Sequence, residues 1–250
     1  MSNTIKLRIG QILAIAKKDI KIYYTEPPIL IFGILFPAFL FMAFALGKNI
    51  PFKNLIPGLL GISLFFTGSS VGPYITPWET NTKTLERLLT TPGSISVIVI
   101  GDILAAFYFS LGISGLIAFT GIFVFGTGVA NIAVLLSTLF LASFCFAGLG
   151  TIFSSLPTDK PSNVMMLSNL IRLPIIFISG VFVPVSELPE WGQILSRFSP
   201  VTYVTDLLRF ALGQGHYFAL SINLIILSIF TILFLLIAVL LHRKTFIKRI

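Results

Sequence analysis

The residues that come nearest to a catalytic pattern are Gly112-Ile113-Ser114-Gly115, a GxSG sequence with Ser114 as the would-be nucleophile. A serine hydroxyl needs a general base at its own depth. The two histidines, His216 and His242, fall in a loop and at the far end of another apolar run, so neither is placed to serve Ser114. Glycine and serine in an apolar helix more often permit close helix packing, as do Ser143, Ala147 and Thr151 further on. The sequence contains no GxxxxGK[ST] phosphate loop, no HExxH and no paired cysteines. No catalytic residue, metal site or bound cofactor is therefore expected of this chain. Cys145 is the lone cysteine and cannot form an intrachain disulfide.

Arg172 carries more chemical information, because an ionisable group inside an apolar run is costly and usually faces a protein interior, a partner or an aqueous cavity. With Ser168 and Asn169 beside it, one half of that run is polar, which makes Asn169 and Arg172 candidates for lining a pathway or a subunit interface. A structural arginine, bonded to carbonyls or reaching toward lipid headgroups, is the other reading. Asp102, early in a different run and at a similar depth, is a candidate counter-charge.

The elements that must position these residues follow from composition. Of 250 residues, 56% are hydrophobic and 10% charged, against about a quarter charged in soluble domains. A membrane-spanning helix takes roughly 20 mainly apolar residues. Six runs qualify, at 29–46, 55–75, 97–125, 130–153, 164–183 and 219–241. The expected fold class is an all-α membrane protein with six transmembrane helices, the whole chain, 1–250, forming one transmembrane domain. Segment 1–26 precedes the spans, 29–183 holds the first five, 184–218 connects to the sixth over 219–241, and 242–250 is a basic tail.

An even number of crossings puts both termini on one side. Twelve basic residues fall on that side: Lys6, Arg8, Lys17, Lys18, Lys21, Lys83, Arg87, Lys160, Arg243, Lys244, Lys248 and Arg249. Four fall opposite, namely Lys48, Lys53, Arg197 and Arg209. The positive-inside rule then places both ends in the cytoplasm of a cell whose plasma membrane the chain crosses. The net charge of +8 sits beside apolar runs, as expected for anionic lipid headgroups, so membrane lipids and not nucleic acid are the expected partners.

Three segments outside the spans have their own patterns. Ile5, Ile9, Ile12, Leu13, Ala16, Ile20 and Tyr23 recur at helical spacing with Lys17, Lys18 and Lys21 mostly off that stripe, which predicts an interfacial amphipathic helix. It reads as a membrane anchor, or as an elbow that also touches a partner. In the loop after the second span, Thr76 can cap a helix that Pro77 starts, with Glu79 reaching back and pairing with Lys83 at i,i+4. Trp78, Leu85, Leu88 and Leu89 would line one side of that helix, and Thr91-Pro92-Gly93 would end it. The leucines either pack on the chain's own bundle or, as apolar residues in an aqueous loop suggest, dock into a partner. Between spans five and six, Pro189 can start a short helix with Trp191, Ile194, Leu195 and Phe198 on one face, and Ser199-Pro200 a second that ends at Gly213. Each is too short to span, as in re-entrant segments. Thr202, Asp206 and Arg209 would form a polar stripe on the second, with Asp206 and Arg209 paired.

The order of Thr84-Leu85-Glu86-Arg87-Leu88-Leu89-Thr90-Thr91-Pro92, then Ser179-Gly180-Val181-Phe182-Val183-Pro184, Leu188-Pro189, Trp191, Ser199-Pro200, Tyr203 and Asp206-Leu207-Leu208-Arg209, resembles the ABC-2 type transporter permeases over essentially the whole chain. The resemblance implies the membrane half of an ATP-driven exporter, in which two permease subunits, here a homodimer, bind two separate ATPase subunits that hold ATP and Mg. It implies that Trp78, Glu79, Leu85, Glu86, Arg87, Leu88 and Leu89, with Asp159 in a second loop, couple the chain to the ATPase. Spans one, two and five would border the path of a hydrophobic or amphipathic substrate such as a drug, lipid or glycolipid. The segment with Trp191, Tyr203, Asp206 and Arg209 would be the family's extracellular re-entrant helices. Many relatives have glycine where this chain has Lys83. A membrane-embedded enzyme acting on lipid, or a carrier driven by an ion gradient, are the competing functions.

Overall fold

The computed structural model describes residues 2–46, 51–90 and 93–246. Lys48, Thr91, Pro92, Lys248, Arg249 and the side chain of Ile5 lie outside the described residues. The elements are helical, with no strand among the described residues. Helix α1 (Ser2–Tyr23) is followed by α2 (Pro27–Leu30), which runs through a π-helical stretch, Ile31–Leu35, into α3 (Phe36–Leu46). The chain turns by 89° between α1 and the helical segment that begins at Pro27. Pro27 and Pro28 cannot extend the ladder of α1 but suit the first turn of a new helix, where the missing N–H groups have no intrahelical partner anyway.

Then come α4 (Phe52–Ser70), α5 (Gly72–Asn81), α6 (Thr84–Leu89), α7 (Ile95–Phe123), α8 (Ile132–Ser154), α9 (Pro161–Ile178), α10 (Glu190–Ser196), α11 (Pro200–Ala211) and α12 (Leu220–Thr245). Five helical segments among the described residues are long and apolar enough to cross a membrane: Phe52–Asn81, which joins α4 and α5, and α7, α8, α9 and α12. A sixth is added when the bent α1 to α3 pair counts as one. The chain is a multi-pass membrane protein.

The second span differs from expectation at its end. It does not stop near residue 75 but continues to Asn81, and Thr76 lies buried in mid-helix where no cap is needed. A proline inside a membrane helix is tolerated when neighbours satisfy the backbone it frees. Pro77 sits in such packed surroundings and is itself buried.

Phe52–Asn81 is the axis of the bundle, 89% buried over its apolar window against 17% for α12. It packs on α7, α8 and α11, while α12 lies on the outside of α8. Close approach to α8 depends on glycine. A Cβ on Gly72 would stand 2.7 Å from the Gly150 backbone, and one on Gly150 would stand 2.8 Å from Ser69 Cα. Ser143, Ala147 and Thr151 are fully buried on the same helix, as small residues at a helix crossing should be.

The two short helices between α9 and α12 differ from each other. On α10 the apolar face is open, with Trp191 63% and the following Phe198 76% exposed. On α11 the apolar face is covered: Val201, Val204, Leu207, Leu208 and Ala211 are all buried in the main core against α4, α8 and α12. The strong amphipathicity of α11 points its apolar face at protein.

Candidate functional site

At one end of the bundle α5 hands over to α6 through Thr82 and Lys83, whose φ of +56° is left-handed. Thr84 Oγ1 donates to the Glu79 carbonyl at 3.3 Å, tying the joint. Leu85 is buried, and Leu88 and Leu89 pack half-buried against the core cluster that holds Tyr74 and Ile75. Leu85 is therefore committed to the bundle, while Leu88 and Leu89 keep part of their surface open. A helix of six residues cannot hold an apolar face in water, and folding it onto the bundle removes that surface from solvent. Lys83 at the joint and Thr84, Glu86 and Arg87 of α6 stay exposed, with Trp78 of α5 stacked on Tyr74 nearby. Asp159 is exposed in the loop between α8 and α9.

Glu79 neither caps a helix nor pairs with Lys83. Its Oε1 accepts from Lys18 Nζ of α1 and from the Tyr23 hydroxyl at 3.4 Å. Lys18 also stands 2.9 Å from the Asp19 carboxylate. Lys18 and Asp19 turn toward the bundle because Gly101 of α7 lets α1 come close: a Cβ there would be 2.5 Å from Ile15. That contact sets the buried Asp19 of α1 beside Asp102, the next residue of α7. Asp19, Glu79 and Asp102 are each at most 1% exposed. Burial drags on the Lys18 ammonium, but the carboxylates of Glu79 and Asp19 hold its pKa above the ordinary lysine value.

Asp102 is consequently not the counter-charge of Arg172. The guanidinium, fully buried, is held by hydroxyls: Nη1 donates to Ser69 Oγ at 3.2 Å and Ser70 Oγ at 2.9 Å, and Nη2 to Ser168 Oγ at 2.7 Å. Its Nε donates to the Ser168 carbonyl at 3.3 Å, and Phe66 lies with its ring centre 5.3 Å away. Ser69 and Ser70 donate to carbonyls one turn back and so keep oxygen lone pairs for the arginine. Arg172 thus ties α9 to the break between α4 and α5. Asn169, one turn away and half-buried, instead lines an apolar cavity of about 680 Å³ with Phe32, Tyr74, Trp78, Met165 and Met166.

At the opposite end Asp206 is not paired with Arg209. Its Oδ1 accepts from the Tyr217 amide at 2.7 Å, and its Oδ2 from the Phe218 amide at 2.9 Å and Asn223 Nδ2 at 2.8 Å. Arg209 donates to the Gly180 carbonyl at 2.8 Å, and burial lowers its pKa while Asp206 and Glu187 oppose that shift. Thr202 donates to the Ser196 carbonyl at 2.7 Å and Tyr203 to the Arg197 carbonyl at 2.7 Å. These bonds fasten α10, α11 and the start of α12 together. Trp191 remains exposed.

The serine of the GxSG sequence has no catalytic surroundings, since Ser114 Oγ donates to the Ser110 carbonyl at 2.6 Å. His242 bonds to Ser154 Oγ at 3.1 Å, and His216 lies edge-on to Phe210. Among the described residues no group of three His, Cys, Asp or Glu side chains is arranged to hold a metal ion. Lys18, Asp19, Ser69 and Ser70 were not candidates on sequence grounds. An aspartate within a basic amphipathic segment, and a serine pair just before Val71-Gly72-Pro73, are the signals that point to them.

Comparison with known proteins adds a family to this geometry. The profile of the ABC-2 type transporter family matches residues 10–213. The candidate transport permease ycf38 of Cyanophora paradoxa is 27% identical over 224 residues, which cover 83% of this chain and 75% of that protein. Nodulation protein J of Rhizobium leguminosarum bv. trifolii is 32% identical over 74 residues, 30% of this chain and 28% of its own length.

Proposed function

The chain belongs to the ABC-2 type transporter family, and from that premise we propose that it is the permease half of an ATP-driven exporter of hydrophobic or amphipathic molecules. In this reading two permease copies form a homodimer in the plasma membrane. Two separate ATPase subunits, which bind ATP and Mg, dock beneath. Both termini are cytoplasmic, supported by the twelve-to-four distribution of basic residues.

The observation that carries the reading is the build of the α5–α6 corner. A charged face, with Glu86 and Arg87, stands exposed on a helix whose leucines are anchored to the bundle. A push on that face moves the bundled end of the second span, because Leu85 and the Glu79–Lys18 pair leave little slack. Helix α1 then serves as the elbow: it lies at 89° to the first span and exposes Leu7, Ile9, Leu13 and Ile22, which suit a lipid interface. Helices α10 and α11 form the extracellular re-entrant pair, α10 resting in the outer leaflet with Trp191 and Phe198. The cavity beside Asn169, walled by the first, second and fifth spans, takes the substrate, and its apolar lining favours an amphipathic cargo. Arg172, fully buried, positions the walls without meeting the cargo.

Exchanging the exposed charges tests the coupling role. The double variant Glu86→Arg, Arg87→Glu should insert normally, lose at least about ten-fold in transport into vesicles, a change of about 1.4 kcal/mol in coupling, and copurify poorly with its ATPase. Unchanged transport and copurification would remove α6 as the docking element.

A further inference from the structure

The α1–α5–α7 cluster has more negative groups than its partners can neutralise. Among the described residues Lys18 is the sole cation in contact with three buried carboxyls, and it engages two of them, Asp19 and Glu79. Of the other charged and titratable groups on the surrounding elements, Tyr23 of α1 adds a donor to Glu79, whereas Tyr24, just after α1, donates to the Ala105 carbonyl, Tyr74 of α5 to Glu26, and Arg243 of α12 to Ser96 at the start of α7, and His242 of α12 bonds to Ser154. Lys17 and Lys21 of α1 and Glu86 and Arg87 of α6 are exposed.

Asp102 supplies the decisive observation. It comes from a third helix, is 1% exposed, and neither carboxylate oxygen meets a hydrogen-bond donor among the described residues. Beside it, across the contact of Gly101 with Ile15 one turn before Asp19, lies another buried carboxyl, that of Asp19. Two carboxylates cannot hydrogen-bond, since both only accept, and a pair of like charges sharing a buried site resolves by one of them remaining protonated. The same fold shows the alternative at Asp206, an aspartate 4% exposed that is satisfied by three N–H donors. No such set of donors reaches Asp102 from the described residues.

We propose that Asp19 and Asp102 form a proton-binding site, one proton being shared between the two carboxyls and locking α1 onto α7. The ligand is a proton, and its release leaves two adjoining carboxylates that repel each other and push α1 away from the bundle. The site would make the seating of α1 respond to pH. The site is built by the packing of α1, α5 and α7 and does not depend on the transport reading.

A carboxyl that holds its proton more tightly in the folded state contributes stability that is full below the ordinary carboxylate range and is lost as pH rises through its folded value. The test uses the full-length permease in lipid nanodiscs. Infrared spectra at neutral pH should show a protonated-carboxyl carbonyl band that shifts in deuterium oxide and disappears in Asp102→Asn. The thermal midpoint of the wild type should fall on the alkaline side, and that fall should shrink by at least half in the variant. Should Asp102→Asn not insert, Asp19→Asn must remove the same band. Absence of the band from the wild type, or its persistence in both variants, overturns the proposal. So does a midpoint that rises when sodium replaces choline, which would make a metal cation the occupant.

Discussion

Asp102 and Asp206 are both aspartates on helices, both all but excluded from solvent, and the chain treats them in opposite ways. Asp206 sits where α11 meets the chain returning into α12, and two successive amides with the Asn223 side chain donate to it. Asp102 sits one residue from a glycine contact between α7 and α1, and is offered only another acid. A charge satisfied by backbone amides is fixed in place and makes a permanent joint. A charge left to find a proton makes a joint that conditions can loosen. The first kind occurs where the extracellular pair is proposed to be anchored, the second where the elbow is proposed to seat.

Matched substitutions probe that contrast. Asp206→Asn keeps the size but presents an amide NH2 to N–H donors, and should cost about 3 kcal/mol in denaturant unfolding, as expected for disrupting buried bonds to a charged group. Asn223→Ala removes one of the three donors and should cost about 1.5 kcal/mol by the same measurement. Asp102→Asn, which replaces an acid already neutralised by its proton, should cost less than about 1 kcal/mol at neutral pH, because no donor is stranded. Equal losses for Asp206→Asn and Asp102→Asn would erase the distinction between the two sites.

What the sequence made legible depended on whether the signal was local. The apolar runs mark the spans because bilayer thickness imposes their length: residues 97–125 were expected for α7, found at Ile95–Phe123, and 130–153 for α8, found at Ile132–Ser154. The two short helices after α9 were readable from Pro189 and Pro200, which stand just before α10 and at the start of α11. Thr76-Pro77-Trp78-Glu79 misled because the pattern of a capping box also fits a proline buried inside a continuing membrane helix, and tertiary packing decided between them. The leucines of α6 gave the right periodicity but not the surface they would meet. The partners of Arg172, Asp206 and Glu79 were beyond local reasoning. Lys18 and Glu79 are separated by 61 residues, and Arg172 and Ser70 by 102. The i,i+3 rule could propose Arg209 for Asp206 but could not weigh it against two backbone amides contributed by the next turn of chain.

Lys83 carries a consequence of its own. Its left-handed backbone is the conformation in which glycine is at ease and a side chain strains by about 1 kcal/mol. Glycine there would let the corner between α5 and α6 swing through many angles, whereas lysine confines it to few. A corner with little play behaves as a bell crank: a displacement applied to one arm reappears as rotation of the other instead of being dissipated as bending at the pivot.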